Sequence, residues 1–233
     1  MAGRKAKPRQ LGFAFRTWGG ARAGAGRPPN ASVSGVSHLP RPSLSRHHPV
    51  HVTLSVTRGI KSLRGSAMFR TITRALAGAR ERFGFRLVHF SVECDHLHVL
   101  AEAQDRRALS RGVQGLSIRV AKAVNRRLAR RGKVFADRYH ARALRTPKET
   151  RWALRYVLHN ARKHGHRIPA GFVDGYSSAP WFEGWQRPST LAFIAGERFE
   201  GEKPVVSATT WLLRIGWRRA GLIDTDDAPG SSK

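Results

Sequence analysis

Between His51 and Lys163 the spacing of apolar residues switches between a period of two and a helical period, and the order of those switches restricts the fold more than any other property of the chain. Residues 51–57 alternate as a strand does. Residues 66–83 carry Met68, Ile72, Leu76 and Ala79 at helical spacing, and Phe85 to Val92 is rich in β-formers. A turn at Cys94-Asp95 leads into a third strand over 96–103. Residues 106–131 place Leu109, Val113, Leu116, Val120, Val124 and Leu128 on one stripe, with Gly132 as the stop. Residues 134–144, with Phe135 and Tyr139 at alternate positions, predict a fourth strand. Thr146-Pro147-Lys148-Glu149 reads as a capping box with proline at the first helical position, starting a helix that runs to about Lys163. Strand–helix–strand–strand–helix–strand–helix is the split βαβ pattern of a ferredoxin-like sheet plus one helix. The expected class is α+β: one antiparallel sheet, two helices on one face and the last helix over the other.

Charge bounds the partners. The formal net charge of +28 is unevenly spread: residues 1–50 carry nine Lys/Arg and no acid, residues 51–165 carry 26 basic and seven acidic side chains, and residues 166–233 carry eight of each. A field of this size attracts polyanions, nucleic acid first among them, although ribosomal components and Arg-rich chains from GC-rich genomes share it. Residues 1–48, with scattered Gly, Pro and Arg and no periodicity, read as a disordered basic arm. Within it Gly26-Arg27-Pro28 resembles the core of minor-groove hooks, but a solvated arm adding phosphate contacts is the simpler reading. Residues 49–165 form the expected domain and 166–233 an extension of unknown role. In that extension Ser177 to Phe182 and Trp185 suggest an aromatic-anchored loop, residues 208–220 a short helix, and the stretch after Asp224 a frayed acidic tail. The single cysteine, Cys94, excludes an internal disulfide and a cysteine-rich zinc site, and fits a reducing cytosol. No apolar run approaches a membrane span and no export signal is read, so a cytoplasmic, nucleoid-associated bacterial protein is expected, with no membrane partner.

Two short stretches carry chemistry. On a strand His96 and His98 share one face while Leu97 and Val99 point to the other. Tyr156 and Asn160, four apart on the predicted last helix, share a helical face. Two imidazoles, a carboxamide and a phenol can make a metal-assisted nucleophilic site. Transesterification at a phosphodiester needs a nucleophile, in-line geometry and relief of charge on the non-bridging oxygens, which a divalent ion supplies. Imidazole and carboxamide ligands leave coordination positions open and suit Mg²⁺ or Mn²⁺. Such an ion also helps a phenol of pKa ~10 act as nucleophile.

The segments HFSVECDHLHVLAEA (89–103), GKVFADRYHARALRTP (132–147) and ALRYVLHNARKHG (153–165) resemble the IS200-like transposases of the HUH endonuclease superfamily, and most of all the REP-associated tyrosine transposases, in which one tyrosine works with an HUH metal site. The similarity spans roughly residues 48–165. His-x-His alone is a weak motif; joined to Tyr-x3-Asn in this order of elements it is strong. The resemblance implies that His96 and His98 are metal ligands with Asn160 the third, and that Tyr156 is the nucleophile. It further implies cleavage of hairpin-forming single-stranded DNA with a 5′-phosphotyrosine link and a free 3′-OH. Asp95 sits where many relatives have Asn, which adds a negative charge near the metal. His159 competes with Asn160 as ligand. Relatives also act as homodimers with the tyrosine donated in trans, and the sequence decides neither that nor the DNA sequence recognised.

Each residue also has a structural reading. Histidine pairs on strands are often surface or core residues, and helical tyrosines often pack. Tyr139, beside His140, is the rival nucleophile, while His89, His140 and His164 read as structural or phosphate-facing. Arg119, Lys122, Arg126 and Arg127, with Arg155 and Lys163 near the tyrosine, are candidate DNA-backbone contacts. Trp181 or Trp185 either stacks on an unpaired base or packs against the domain. Glu93 and Glu102 are left unassigned. The rival function is a catalytically silent DNA- or RNA-binding relative on the same fold; a zinc hydrolase lacks the clustered Cys or Asp.

Overall fold

A computed structural model describes residues 42–186, 194–195 and 199–227. The arm over residues 1–48 therefore lies outside the described residues up to residue 41, and so does Gly26-Arg27-Pro28. Residues 42–49 lead into the sheet, with Leu44 packed on its core.

The chain runs β1 (Val50–Ser55), α1 (Ser66–Ala77), β2 (Glu81–Arg82), β3 (Phe85–Val92), β4 (His96–Ala103), α2 (Arg106–Arg127), β5 (His140–Ala143), α3 (Pro147–Leu158) and α4 (Asn160–Lys163). The five strands form one antiparallel sheet in the order β2-β3-β4-β1-β5. Alternation sorts its side chains. Val50, Val52, Leu54, Leu97, Val99 and Ala101 face a core shared with Phe69 and Ile72 of α1 and Val113, Leu116 and Val120 of α2. Val88 and Leu100 face a second core with Leu154, Val157 and Leu158 of α3. Two helices thus cover one face and the tyrosine helix covers the other. Gly112 lets α2 lie directly on β3, because a Cβ there would overlap the Phe85 ring.

Local chemistry sets the boundaries. The Asp105 carboxylate accepts from Ala108 N at 2.7 Å at the start of α2. Thr146 Oγ1 accepts from Glu149 N, and the Glu149 carboxylate reaches back to accept from Arg145 N at 2.8 Å, one residue beyond the usual box. Four expectations need correction. First, α1 stops at Ala77, not residue 83, because Phe83 and Gly84, at φ 51° and 76°, turn β2 into β3 as a two-residue hairpin. Secondly, α2 ends before Gly132 as Ala129 adopts φ 47°, which leaves Leu128 exposed instead of on the buried stripe. Thirdly, the strand over 134–144 is paired only at His140–Ala143 and at a single Val56–Phe135 bridge. Fourthly, the last helix breaks at His159, between Tyr156 and Asn160.

Beyond residue 166, Val173, Phe182, Trp185, Leu213, Trp217 and Ile223 pack in the α3 core, whereas Tyr176, Trp181, Phe199 and Val205 pack on the α1–α2 core. Ser178 Oγ accepts from Phe90 N, and Ser178 N donates to Phe90 O. The backbone N–H and hydroxyl groups of Thr209 and Thr210 all donate to Glu102, and Arg64 makes a two-point ion pair with Asp174 beside Glu93. Both unassigned glutamates therefore hold the fold together. The predicted helix over 208–220 is a short helix α5 (Trp211–Arg214) followed by a 3₁₀ turn at Gly216–Ala220. Past Asp224 the chain is not frayed as far as residue 227: Arg162 pairs with Asp226 and Arg151 with Asp227. No helix among the described residues is long and apolar enough to cross a membrane.

His89 makes this packing sensitive to acid. Its ring is buried against Phe182 with Nδ1 on Ser178 Oγ at 3.1 Å, and burial pushes its pKa down to about 3. In the unfolded chain histidine protonates near pH 6.5. Below that pH the unfolded state binds a proton that the native state refuses. Stability is thus highest above pH 6.5 and falls as pH drops toward 3, by at most about 1.4 kcal/mol per pH unit for this residue. His51, His98 and His159 are depressed in the same sense. In urea unfolding at pH 7 to 4, His89→Gln is expected to lose stability less steeply than wild type. Equal slopes would show that His89 does not contribute.

Candidate active site

The site forms where β1, β4 and the α3–α4 break meet. Register places Thr53 opposite His98 and Ser55 opposite His96. His96 and His98, two apart on β4, turn their Nε2 atoms to within 2.9 Å of each other. Two ring nitrogens that close need something positive between them, a proton on one or a shared cation. Imidazoles bound to one cation at about 2.1 Å and near a right angle sit about 3 Å apart, so the pair fits a metal.

Each ring is held from behind. Asp95 Oδ1 lies 2.6 Å from His96 Nδ1, and that contact holds the Asp95 carboxyl below its usual range. A carboxylate accepting from Nδ1–H keeps the Nε2 lone pair free, so Asp95 orients the His96 ring. His98 Nδ1 lies 3.1 Å from both Thr53 Oγ1 and His51 Nε2. Burial, followed by neighbouring histidines, pushes the pKa of His98 down to about 2, and burial likewise pushes His51 to about 4. Both rings are therefore neutral at pH 7, the state in which imidazole binds a cation.

Tyr156, half-buried on α3, lays its ring against His98 at 5.0 Å between centroids and against His51 at 5.7 Å. Lys163 Nζ donates to Tyr156 Oη at 3.2 Å and sits 4.5 Å above the ring. Tyrosine and histidines come together within one chain. The break at His159 turns α4 so that His164 stacks on His96 at 5.1 Å. Asn160 is fully buried, and its carboxamide oxygen and nitrogen have no hydrogen-bond partner. Such an orphaned carboxamide is costly unless something binds it. The His159 ring packs instead on Trp185 at 5.3 Å. Among the described residues no three His, Cys, Asp or Glu side chains could hold a metal, so a metal on the pair would need a donor of another type.

The other expected positions separate. Tyr139 packs on the α1–α2 core, and Tyr176 stacks on Phe69 with the Arg64 guanidinium over it. Trp185 is buried, donating Nε1–H to Ala179 O, and the half-buried Trp181 packs near Phe90. Arg155 is buried with its guanidinium on the Trp152 indole, and the exposed Lys163 lies over the phenol. Arg119, Lys122 and Arg126 line a basic cleft of about 930 Å³ between α1 and α2, on the face of the sheet away from Tyr156, while Arg127 is exposed beside it. Sequence reading missed His51, took His164 as structural or phosphate-facing, and placed Lys163 near the tyrosine only as a DNA-backbone contact. His51 alternates with the buried Val50 and Val52, which sets it on the face of β1 away from the α1–α2 core.

No curated protein matches the chain. Among solved structures it is similar to a REP-associated tyrosine transposase bound to a REP hairpin, at 16% identity and TM-score 0.47, covering 61% of this chain and 82% of that one. It is also similar to a candidate transposase from Deinococcus radiodurans R1, at 16% identity and TM-score 0.34, covering 52% and 92%. The family of IS200-like transposases matches residues 45–160, a span that begins before His51 and ends on Asn160. Through that span the chain belongs to the IS200-like transposase family.

Proposed function

We propose that the protein is a divalent-metal-dependent, single-tyrosine endonuclease and strand transferase of the REP-associated type, with Tyr156 as nucleophile. The observation that carries this reading is the Tyr156 ring lying against His98 while His98 and His96 aim their Nε2 atoms at one point. Tyr156 Oη attacks a backbone phosphorus in line with the departing 3′ oxygen. The Oη–P bond forms as the P–O3′ bond breaks, the phenolic proton passes to solvent, and the 3′ oxygen takes one up. Lys163 holds the phenol oxygen as its charge grows. His96, His98 and Asn160 would hold a Mg²⁺ or Mn²⁺ ion, which when bound would relieve charge at the non-bridging oxygens. The phosphotyrosine bond keeps the energy of the cut, so the reverse step joins strands.

The substrates proposed are single-stranded DNA ends that fold into hairpins, handled in the bacterial cytoplasm, with Arg119, Lys122, Arg126 and Arg127 as backbone contacts. The test uses purified protein, labelled single-stranded oligonucleotides from the flanks of its own gene, and Mn²⁺, Mg²⁺ or EDTA. The expected result is a slow-migrating, protease-sensitive DNA species on a denaturing gel, present with metal and absent with EDTA. Tight binding with no adduct under either metal would favour a silent DNA-binding relative instead.

A further inference from the structure

Next to the tyrosine lies a cleft of about 500 Å³ that the reading above does not use. Its walls include Tyr156 and His51 from the site, Trp152 one turn earlier on α3, and Arg142 and Lys148. Trp152 is 42% exposed, although it stands on a helix whose other large apolar side chains are buried. The Arg155 guanidinium lies 4.8 Å from the indole centroid, and Arg155 is not part of the cleft wall. The cation therefore backs the indole from outside and leaves its other face toward the cleft. Arg142 is mostly exposed and pairs with Glu149 at 3.0 Å, and Lys148 adds a second positive charge at the rim.

We infer that this cleft seats one unpaired base of the bound strand, stacked on Trp152, with Lys148 and Arg142 taking the flanking phosphates. The chemistry is general: an aromatic platform flanked by cations suits a base and its backbone together, and stacking of this kind contributes about 1–3 kcal/mol per base. The inference rests on the reading of Tyr156 as nucleophile for its meaning, since a base fixed one helical turn from Oη fixes which phosphate the phenol meets. Trp152 would then be a positioning residue that helps to choose the cleavage position. A peptide partner would need apolar depth, which Leu144 and Ala153 supply only at the floor, and it would have no use for the cations.

The experiment measures binding in EDTA, where no cleavage occurs, by fluorescence anisotropy on flank-derived single strands carrying one abasic site at each position in turn. Wild type is compared with Trp152→Ala and Trp152→Phe, each first checked for an unchanged melting temperature. Trp152→Ala is expected to weaken binding roughly 5- to 150-fold on the intact strand, the range that 1–3 kcal/mol gives at about 1.4 kcal/mol per tenfold, with Trp152→Phe recovering most of it. One abasic position should weaken wild type by a similar factor and have no further effect on Trp152→Ala. Unchanged affinity in Trp152→Ala, or a loss that no single abasic position abolishes, overturns the inference. Adducts that form without this coupling remove the cleft and leave the nucleophile. Coupling without adducts removes the nucleophile and leaves the cleft.

Discussion

Tyr156→Phe is expected to form no covalent DNA adduct at all while folding and binding single-stranded DNA as wild type does. The change removes one oxygen. The ring keeps its packing on His98 and His51, and only the hydrogen bond from Lys163 is lost, a net cost of about 0.5–1.5 kcal/mol. Loss of a covalent nucleophile, by contrast, costs turnover by ~10⁶, below what a denaturing gel detects. The same gel run on Tyr139→Phe and Tyr176→Phe should show adducts at wild-type yield, because those rings pack on the opposite core and on Phe69. Lys163→Met belongs in the series. It keeps the stem over the ring but removes the donor, so adducts should form more slowly and at unchanged affinity. An adduct that persists in Tyr156→Phe and disappears in Tyr139→Phe would reassign the nucleophile and leave the histidine pair without its partner.

How far the sequence could be read depended on whether each signal was local. The alternation of His96 and His98 is a property of one strand, and the capping residues before α3 fix its start, so the pair and the tyrosine could be found without a structure. His51 could not be placed in the site from its own strand alone. It joins because β1 pairs with β4 so that Thr53 faces His98, a contact 45 residues apart. His164 joins because the helix breaks at His159, and a run with helical periodicity through Leu154, Val157 and Leu158 gives no sign of that break. The hairpin at Phe83-Gly84 was hidden for a different reason, since its first residue is not the Asn or Asp that usually marks such a turn. Glu102 had no motif to announce it. Its role is to accept hydrogen bonds from Thr209 and Thr210, more than a hundred residues away. Trp152 lines the cleft beside Tyr156 and carries no motif to announce it, while Trp185, a stacking candidate in sequence, is consumed by the second core.

His98→Ala is expected to abolish both the adduct and the stabilisation of the protein by Mn²⁺. A ligand present at a hundred times its Kd stabilises the native state by about 2.7 kcal/mol, which for a chain of this size raises Tm by roughly 5–11 °C. Wild type should show that rise and His98→Ala none. The apo proteins offer a control. His98 is neutral and buried, and its pKa is pushed far below that of an unfolded histidine, so replacing it relieves a group that resists protonation. Apo His98→Ala should therefore resist acid better than apo wild type, even though it has lost the metal response. Asp95→Ala leaves both imidazoles but removes the acceptor from His96 Nδ1, and a supporting contact of this kind is worth about 10- to 100-fold in metal affinity. The third ligand separates in the same titration. Asn160→Ala should lose the Tm rise, whereas His159→Gln should keep it because that ring is packed on Trp185. A full Mn²⁺ response in His98→Ala would mean that the ion binds elsewhere and that the 2.9 Å pair is joined only by a proton.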